Sequence, residues 1–461
     1  MTTSLTRVSI RGIAALAALL SCGGGLCSPH ILVFLTDDLG GRDTTVYGSR
    51  YVRTPNLEKL ASVGMTFDRA FVASPACAPS RAALLTGLMP ARNGAEANHT
   101  YPPAGTRYLP PLLGALGLEI AAFGKVSHGD ARPAYGFDSY SKPRVGLADN
   151  VSKYLEQRDS DGPLCLLVGD RRPHVPWTTD NIYKPEEAGL PPYFIDTPET
   201  RAHRARYFSD ITGLDAEFGR VWDLAKSHLG EDLIVVFTSD HGGQWPFAKW
   251  NLYDVGIRVP LIVAWPGRIV GGSRTDAMVS WIDLLPTLIE LAGGKVPEGI
   301  DGRSFAAVLR GQASEHRTEI FTTHSGDGVF NVYPIRSIRT GRHKYIWNLL
   351  PDHLHTNHSD ILRKDGAGAY WDSWDEAAAS DPNSAKIVRK YFQRPERELY
   401  DLRQDPLEQR NLANTEEHAA LVTKLHARLE TWMREQGDAK TVFNKPYPAD
   451  GPRPDAEAVG R

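Results

Sequence analysis

Three stretches of the chain are almost continuously apolar and end in acidic or imidazole side chains. They are HILVFLTDDLG at 30–40, LCLLVGDRRPH at 164–174 and DLIVVFTSDHGG at 232–243. Continuous runs rich in branched residues, rather than alternating ones, are typical of parallel strands that are buried on both faces. The sequence therefore predicts three core strands of a largely parallel sheet, each with polar residues at its carboxyl end.

Helical patterns separate these strands. Apolar residues recur at helical spacing in TPNLEKLASVGM, which has a Thr-Pro start, in SRAALLTG and in the long stretch 200–230. Strands that alternate with helices predict an α/β fold with a large, mostly parallel sheet flanked by helices. Ligands of such sheets bind beyond the carboxyl ends of the strands, so the polar strand ends are candidates for one shared site.

The pattern changes near residue 330. YPIRSIRTGRHKYIWNL alternates like an exposed antiparallel strand, RELYDLRQDPLEQRNLA is typical of a strand and a turn, and EEHAALVTKLHARLETWMREQG predicts an amphipathic helix. We therefore expect a first domain at 28–330 and a smaller α+β domain with an antiparallel sheet at 331–461. The stretch from His353 to Trp374 is rich in His, Asp and Trp. Because its histidines lack metal-ligand spacing, we interpret it as a surface loop rather than a zinc site.

Residues 1–27 have the layout of a secretory signal peptide. Arg7 and Arg11 precede a short apolar run that ends at Leu20, and small residues follow. The run is too short to span a bilayer as a mature helix. LLSC, which ends at Cys22, also resembles a bacterial lipoprotein box, in which the cysteine is lipidated after cleavage. We expect an exported protein, which is periplasmic, an outer-membrane lipoprotein or secreted, and whose only membrane contact is such a lipid anchor.

Composition and charge exclude several function classes. With 41% hydrophobic and 23% charged residues among 461, the chain is typical of a soluble globular protein. A formal net charge of -3 gives no long-range field that would gather a polyanion, so we expect no nucleic-acid partner. An anionic substrate must therefore be bound by local groups.

One of the four cysteines has no evident structural use. Cys22 and Cys27 lie at the signal junction, and Cys165 lies in the apolar run LCLLVG, where cysteine usually acts as a small hydrophobic residue. Cys77 remains, in SPACAPSRAALLTG. An unpaired cysteine in an exported protein without a disulfide framework is a candidate for reactivity.

Two pairs of polar residues at strand ends are candidate metal ligands. Asp37 and Asp38 follow the first apolar run, and Asp240 and His241 follow the third. Each pair is compatible with an ordinary polar turn. The pairs could instead converge on a hard divalent cation, because clustered carboxylates suit calcium or magnesium and tolerate one imidazole. The pattern alone leaves both interpretations open.

Seven motifs in order resemble those of the sulfatase family. CAPSR at 77–81, followed by AALLTG, resembles the signature C-x-P-S-R, which is read by the enzyme that oxidises the cysteine to Cα-formylglycine. The others are DDLG, GKVSHG at 124–129, RPHVPW at 172–177, SDHGG, FAKWNLYDVGIRVPLIVAWPG and ELYDLRQDPLEQRNLA. The resemblance covers nearly the whole mature chain. It implies the alkaline-phosphatase-like fold of sulfatases, a sulfated saccharide as substrate and a formylglycine-generating maturation enzyme as partner.

The resemblance also implies how Cys77 is used. As formylglycine it hydrates to a geminal diol, of which one hydroxyl attacks sulfur and the second expels sulfate by collapse to the aldehyde. The helix that begins near Pro79 would direct its N-terminus at the developing negative charge. One calcium ion is implied, with the ligands Asp37, Asp38, Cys77 as formylglycine, Asp240 and His241. In many relatives an asparagine takes the place of His241.

The remaining site residues follow from matching motifs. Arg81 would hold the diol, and Lys125 would bind both the diol and the sulfate. His128 would take the proton from the second hydroxyl as sulfate leaves. His174 and Lys249 would face the bridging atom and assist the departing group. Two residues separate Lys125 from His128, whereas many family members have Lys-x-His.

Several stretches are most similar to the heparan N-sulfatase (sulfamidase) branch of the family. They are CAPSRAALLTGLMPARNG, LPPYFIDTPETRAHRARYFSDITGLDAEFG, SDHGGQWPFAKWNLY and YPIRSIRTGRHKYIWNL. The similarity implies that the substrate is an N-sulfated glucosamine of heparan sulfate or heparin and that the N–S bond is cleaved. Arg171, Arg172, His203, Arg204 and Arg206 could bind uronate carboxylates or further sulfates. The last three are also typical of a solvated helix face.

Other functions remain compatible with the sequence. One is an O-sulfatase, either iduronate-2-sulfatase-like or an aryl sulfatase. Another is a phosphate or phosphonate monoester hydrolase of the same superfamily, since the two transferred groups make similar demands. A third is a surface glycan-binding lipoprotein without catalysis. The set Cys77, Arg81, Lys125, His174 and Lys249 argues against the last, because a binding protein has no need of an oxidisable residue.

Overall fold

The computed structural model of the protein describes residues 28–130, 132–143 and 145–461. The predicted signal peptide, with Cys22 and Cys27, lies outside the described residues, so the expected cleavage, lipidation and export stay predictions. No helix in the described ranges has both the length and the apolar character that a membrane span requires.

The described residues form fifteen strands and thirteen α-helices. The strands are β1 (His30–Thr36), β2 (Met65–Phe67), β3 (Ala70–Phe71), β4 (Glu119–Gly124), β5 (Ser139–Ser141), β6 (Leu164–Gly169), β7 (Leu233–Ser239), β8 (Arg258–Val259), β9 (Leu261–Ala264), β10 (Ser273–Thr275), β11 (Val279–Ser280), β12 (Glu319–His324), β13 (Ile335–Thr340), β14 (His343–Asn348) and β15 (Arg397–Asp401). The α-helices are α1 (Pro55–Val63), α2 (Cys77–Thr86), α3 (Pro90–Asn93), α4 (Pro110–Gly114), α5 (Leu147–Gln157), α6 (Pro198–Leu229), α7 (Asp254–Ile257), α8 (Leu284–Leu291), α9 (Ala306–Leu309), α10 (His358–Leu362), α11 (Trp371–Ser380), α12 (Pro382–Phe392) and α13 (Ala419–Gln436). Short 3-10 helices span Thr45–Tyr47, Pro133–Tyr135, Pro185–Glu187, Trp281–Asp283 and Glu416–His418.

The main sheet has eight strands in the order β10-β2-β9-β7-β1-β6-β4-β5. Every neighbouring pair is parallel except the two made by β9, which runs antiparallel to β2 and β7. The three predicted core strands are β1, β6 and β7, which lie at the centre of the sheet. Their residues are buried apart from His30, which is partly exposed. The predicted large, mostly parallel sheet is therefore confirmed.

Helices cover this sheet, and the longest of them is α6. It begins with a proline after Thr197, whose side chain accepts a hydrogen bond from the Thr200 amide at 3.1 Å. Phe218 of α6 packs edge-on against Phe34 of β1 and Phe237 of β7, with ring centroids 5.3 and 5.2 Å apart. The predicted helical stretches correspond to α1, α2 and α6.

Loss of the cap at the start of α6 should measurably destabilise the protein. In Thr197→Ala the Thr200 amide loses its side-chain acceptor, which we expect to cost about 1 kcal/mol. The midpoint of thermal unfolding should fall by roughly 1–3 °C, as measured by circular dichroism. Thr423→Ala is the matched control, because Thr423 lies exposed within α13. Equal midpoints for the two variants would contradict the capping role.

A second sheet consists of the antiparallel strands β12-β13-β14-β15, as predicted for the C-terminal part. The predicted amphipathic helix is α13, which packs on this sheet through stacked rings of Trp432 and Phe321, 4.5 Å apart. Strand β12 begins at Glu319, before the predicted domain boundary at residue 331. The sheet therefore includes chain from both sides of that boundary, and a division into two domains there stays a prediction.

Two predictions for the C-terminal part are wrong. YPIRSIRTGRHKYIWNL forms two strands, β13 and β14, joined by a turn at Gly341–Arg342, and both strands are mostly buried because α13 covers them. The stretch from His353 to Trp374 is no surface loop, since it contains α10 and the start of α11. Trp371 and Trp374 are fully buried. Their aromatic side chains serve as core, which explains why this polar-looking stretch is rich in Trp.

Candidate active site

The carboxyl ends of four adjacent strands carry most of the site residues. Thr36 of β1 pairs with Ser239 of β7, so the Asp37–Asp38 and Asp240–His241 pairs leave the sheet next to each other. On the other side of β1, β6 leads into the segment that contains His174, and β4 leads directly to Lys125. The parallel register of the strands thus brings together residues that are far apart in sequence.

The ends of β4 and β6 lie so close together that a side chain does not fit at the last position of either strand, and both positions are glycine. Gly124 has a φ of 72°, and a Cβ there would lie 2.2 Å from the Gly169 carbonyl oxygen. A Cβ on Gly169 would lie 2.2 Å from the Lys125 carbonyl oxygen. The Lys125 amide donates to the Gly169 carbonyl oxygen at 2.7 Å. Glycine at both positions is therefore what allows Lys125 to reach the centre of the site.

Cys77 is the first residue of α2, so the helix begins two positions earlier than the predicted start near Pro79. The free Ala78 amide donates to Asn98 Oδ1 at 3.0 Å, which satisfies one of the unpaired donors of the helix N-terminus. Ser80 donates from its hydroxyl to the Asp240 carbonyl oxygen at 2.7 Å. All ten residues of α2 are buried. The helix therefore holds Cys77 rigidly against the end of β7.

The Cys77 sulfur lies at the centre of the cluster. Sγ is 3.3 Å from His241 Nε2, 3.4 Å from Lys125 Nζ and 3.5 Å from Asp37 Oδ1. Burial raises the pKa of the thiol above its usual value, although Lys125 and Lys249 oppose the shift. At neutral pH Cys77 is therefore a protonated thiol, which is a weak nucleophile.

The structure brings four of the five predicted metal ligands into one group. Ligand atoms of Asp37, Cys77, Asp240 and His241 all lie within 4.8 Å of one another. The fifth, Asp38, forms a second such group with Cys77 and His174. Its amide donates to Asp240 Oδ1 at 3.1 Å, and its own φ of 68° is unusual for a residue with a side chain.

His241 presents a free lone pair to this cluster. Its Nδ1 lies 3.0 Å from the Gly242 carbonyl oxygen, which can only accept a hydrogen bond. Nδ1 therefore carries the ring proton, and Nε2 is the unprotonated nitrogen next to Cys77. Such a carbonyl contact commonly orients histidines that bind metal ions.

Three buried cations match the three buried carboxylates of the site. Arg81 Nε donates to Asp240 Oδ2 at 3.0 Å, and Lys249 Nζ contacts both Asp38 oxygens at 2.8 and 2.9 Å. Lys125 Nζ donates to Asp37 Oδ2 at 2.5 Å. These ion pairs are almost fully shielded from solvent. The six groups carry no net charge, so any added divalent cation would leave the site positive.

The pairing decides how each carboxylate titrates. Burial alone would raise the pKa of all three, but Lys125 contributes to holding that of Asp37 well below its usual range. Lys249 contributes similarly to lowering the pKa of Asp38. At Asp240 burial outweighs the nearby charges, and the pKa is raised.

The structure brings one of the two predicted proton-transfer histidines, His174, within 4.8 Å of the Cys77 sulfur. His174 Nδ1 donates to the Val175 carbonyl oxygen at 2.6 Å, which leaves Nε2 free. Burial, with Lys249 as a further cause, lowers the pKa of His174 to about 4. Burial likewise lowers the pKa of His128 to about 3, with Lys125 adding to the effect. Among the described residues no hydrogen bond joins His128 to Cys77.

Five residues around the cluster were not anticipated from sequence. They are Asn98, His99, Trp250, Asp327 and His358. Asp327 Oδ2 accepts from Asn98 Nδ2 at 3.0 Å, from Trp250 Nε1 at 2.9 Å and from His358 Nε2 at 3.2 Å. His99 Nδ1 lies 3.0 Å from His128 Nε2. Asp327 follows an antiparallel strand far along the chain, and no motif in the sequence links it to Cys77.

The charged residues near the start of α6 are buried, so their interpretation as a solvated helix face is wrong. His203, Arg204 and Arg206 are 7%, 6% and 9% exposed. Arg206 pairs with Asp365 at 2.6 Å. They are buried because the C-terminal part of the chain covers this end of α6: Tyr370 packs edge-on against His203, 5.6 Å away.

Comparison with known proteins assigns the chain to a family. Residues 29–294 match the sulfatase family, and residues 241–355 match the C-terminal region of N-sulphoglucosamine sulphohydrolases. An ulvan-active sulfatase of Formosa agariphila is 29% identical over 427 residues, which are 89% of this chain and 81% of the relative. Human N-sulphoglucosamine sulphohydrolase is 29% identical over 472 residues, which are 90% of this chain and 92% of the relative.

A solved structure has the same fold. It is a protein in complex with its substrate D-glucosamine-2-N,6-O-disulfate, with a TM-score of 0.67, 19% sequence identity, and coverage of 91% of this chain and 100% of the other. The sheet order, the cluster around Cys77 and the family match over more than half of the sequence agree. The chain is therefore an enzyme of the sulfatase family.

Proposed function

We propose that the protein hydrolyses sulfate from a sulfated saccharide, with Cys77 converted to formylglycine and one calcium ion bound beside it. The observation that carries this proposal is the position of the Cys77 sulfur, within 3.5 Å of Asp37, Lys125 and His241. An unmodified thiol is a poor catalyst there because burial raises its pKa. As formylglycine, Cys77 would supply a hydrated aldehyde whose hydroxyl attacks sulfur.

The residues around Cys77 fit a hard divalent cation. Asp37, Asp38 and Asp240 offer carboxylate oxygens, and His241 offers Nε2. With sulfur at position 77 the donor set would be mixed, whereas an oxygen there makes a set that calcium prefers. The cation would polarise the oxygen at position 77 and the sulfate oxygens that contact it. It would also turn a site of zero net charge into one that attracts an anion.

Arg81 and Lys125 act on the attacking end of the reaction. Lys125 Nζ lies 3.4 Å from the position 77 side chain, so it can donate to a group there and to a sulfate oxygen beside it. Arg81, one helical turn beyond Cys77, is held by Asp37, Asp240 and the backbone of Lys125. Because these contacts are preformed and buried, the cations need no reorganisation when the substrate binds.

His174 and Lys249 act on the leaving end. His174 has its proton on Nδ1 and a free Nε2, and Lys249 is held beside Asp38 as a cation. Lys249 can therefore donate to the bridging atom as negative charge develops on the departing group. His128 takes the proton released at position 77, and His99, which is 3.0 Å from it, connects it to the exposed surface.

N-sulfated glucosamine is the substrate that the comparisons favour. Human N-sulphoglucosamine sulphohydrolase aligns with 90% of this chain, and residues 241–355 match the C-terminal region of the same group of enzymes. A saccharide with an O-sulfate group stays the second candidate, because another relative is an ulvan-active sulfatase and not an N-sulphoglucosamine sulphohydrolase. The proposal includes export of the chain with a signal peptide or as a lipoprotein. It also includes a formylglycine-generating enzyme as partner, because oxidation of Cys77 requires that enzyme.

A substrate comparison tests the proposal. The protein is co-expressed with a formylglycine-generating enzyme and assayed on N-sulfoglucosamine, glucosamine 6-O-sulfate and a phosphate monoester of the same sugar. We expect kcat/KM on the N-sulfate to exceed that on either ester by at least about 10-fold, because a site built for one leaving group loses hydrogen bonds with another. A higher value on the 6-O-sulfate would identify an O-sulfatase. Preference for the phosphate ester would refute sulfate hydrolysis as the main activity.

A further inference from the structure

A cavity of about 240 Å³ lies beside the candidate active site. Its walls are formed by residues 40–43, which directly follow the Asp37–Asp38 pair, by residues 189–194, and by Gly243 and Trp245, which follow His241. No side chain assigned above to metal binding or catalysis lines it. The cavity is therefore a separate space, although its walls continue the chain segments that carry the metal ligands.

The charged groups of this cavity are unbalanced in favour of cations. Its two acidic residues are already paired: Asp43 with Arg204, and Asp254 with Arg339 and Lys344 from outside the cavity. Its other two basic residues, Arg42 and Arg258, pair with no carboxylate among the described residues. Arg42 donates to the Pro406 carbonyl oxygen at 3.1 Å and to no other residue that the structure describes.

Arg258 is the more buried of the two cations that lack a carboxylate partner. It lies on β8 and is only partly exposed, and its guanidinium makes no hydrogen bond or ion pair with another described residue. Burial lowers its pKa from the usual value, and the nearby Asp254 opposes this shift without cancelling it. An unpaired, half-buried guanidinium is costly unless an anion accompanies it.

Two buried donors at the same cavity also lack acceptors. The Nε of Arg204 and the Nε1 of Trp245 are both buried, and neither has a hydrogen-bond partner in the part of the chain that the structure describes. The Arg204 guanidinium lies 5.3 Å from the Trp245 ring centroid, so the two donors are neighbours. Leaving a buried donor unpaired costs on the order of 1–3 kcal/mol. Two such donors beside an unpaired cation indicate an acceptor that belongs to a ligand.

The remaining walls are mainly apolar and aromatic. Tyr51, Tyr193, Phe194 and Phe208 contribute rings, as is usual for pockets that bind small organic ligands. We propose that this cavity binds a small organic anion, which carries one carboxylate group on a compact ring, and that Arg204, Arg258 and Trp245 donate to its oxygens. Guanidinium groups pair closely with such oxyanions, and the aromatic walls cover the ring. The inference does not depend on the proposed sulfatase reaction.

Binding of methyl glucuronide to the unmodified protein tests this proposal. Isothermal titration measures affinity, and a crystal structure of the complex locates the ligand. We expect the carboxylate at Arg258 and Trp245, and no binding of the neutral methyl glucoside. Arg258→Met should weaken the affinity at least about 10-fold, since a hydrogen bond to a charged group contributes about 1.5–3 kcal/mol. Arg258→Lys should keep part of it.

Arg268→Met is the matched control, because Arg268 is exposed and remote from the cavity walls. Its affinity should equal that of the wild type. Circular dichroism verifies the fold of each variant, and the wild-type complex decides the question if Arg258→Met does not fold. Absence of binding, equal binding of the neutral glucoside, or density only beside Cys77 would each overturn the proposal. Because the readout needs no modified Cys77, these outcomes are separate from failure of the sulfatase assay.

Discussion

Cys77→Ala should lose at least about 1,000-fold in sulfatase kcat/KM, because no other group in the cluster can form a covalent bond to sulfur and release it again. The variant should remain folded, since alanine is smaller and keeps the first position of α2. Cys77→Ser should lose as much in steady state, because a serine ester of sulfate has no second hydroxyl to expel the sulfate. It should still release one leaving group per chain in a burst.

Cys165→Ala is the control for this experiment. Cys165 is also buried and unpaired, but it lies within β6, where its side chain is surrounded by apolar residues. Its replacement should leave kcat/KM unchanged within about 2-fold. Mass spectrometry of the peptide around position 77 reports the aldehyde in wild-type protein. Full activity in a sample whose Cys77 is wholly an unmodified thiol would refute the role assigned to formylglycine.

Removal of the divalent cation should be the second large effect. Dialysis against a chelator should lower activity at least about 100-fold, and calcium should restore it, because the proposed cation would be held by Asp37, Asp38 and Asp240 and would polarise the reacting groups. Elemental analysis should find one ion per chain. Bound calcium should also raise the midpoint of thermal unfolding. At a concentration of 100 times its Kd it would add about 2.7 kcal/mol to the free energy of unfolding.

Asp240→Asn should abolish this binding, since Asp240 joins Asp37, Cys77 and His241 in the ligand group. Asp68→Asn serves as control, because Asp68 is partly exposed and, in the described part of the chain, its only ion-pair partner is Arg274. The control should bind one ion per chain. Full activity of chelated protein that contains no metal would contradict the calcium site.

The centre of the fold could be predicted because its signals are local. β1, β6 and β7 are uninterrupted apolar runs, and such runs have few alternatives to a buried strand. Adjacent parallel strands then bring their polar ends together, which is why the pattern of the chain made Asp37 and Asp240 candidates for one shared site, although it left ordinary polar turns open as well. Lys125 and His174 required the family motifs, since a single lysine or histidine after a strand carries no signal of its own.

Long-range contacts were not predictable from local pattern. Asp327 reaches Asn98 and Trp250 only because the second sheet packs against the first, and the pairing depends on tertiary structure alone. The same reason explains the error at Arg204, whose place on a helix suggested solvent, whereas neighbouring rings cover it. The β13–β14 hairpin was missed because its turn, Gly341–Arg342, does not interrupt the alternation of the flanking strands.

Because α2 is buried, the order of folding and of the proposed modification of Cys77 matters. Cys77 is 2% exposed, and every residue of its helix is enclosed by the folded chain. An enzyme that oxidises this thiol cannot reach it once the sheet and its loops have assembled. The proposed conversion of Cys77 to formylglycine must therefore precede folding of this region. We expect that a maturation enzyme added to protein already folded with an intact thiol leaves Cys77 unmodified.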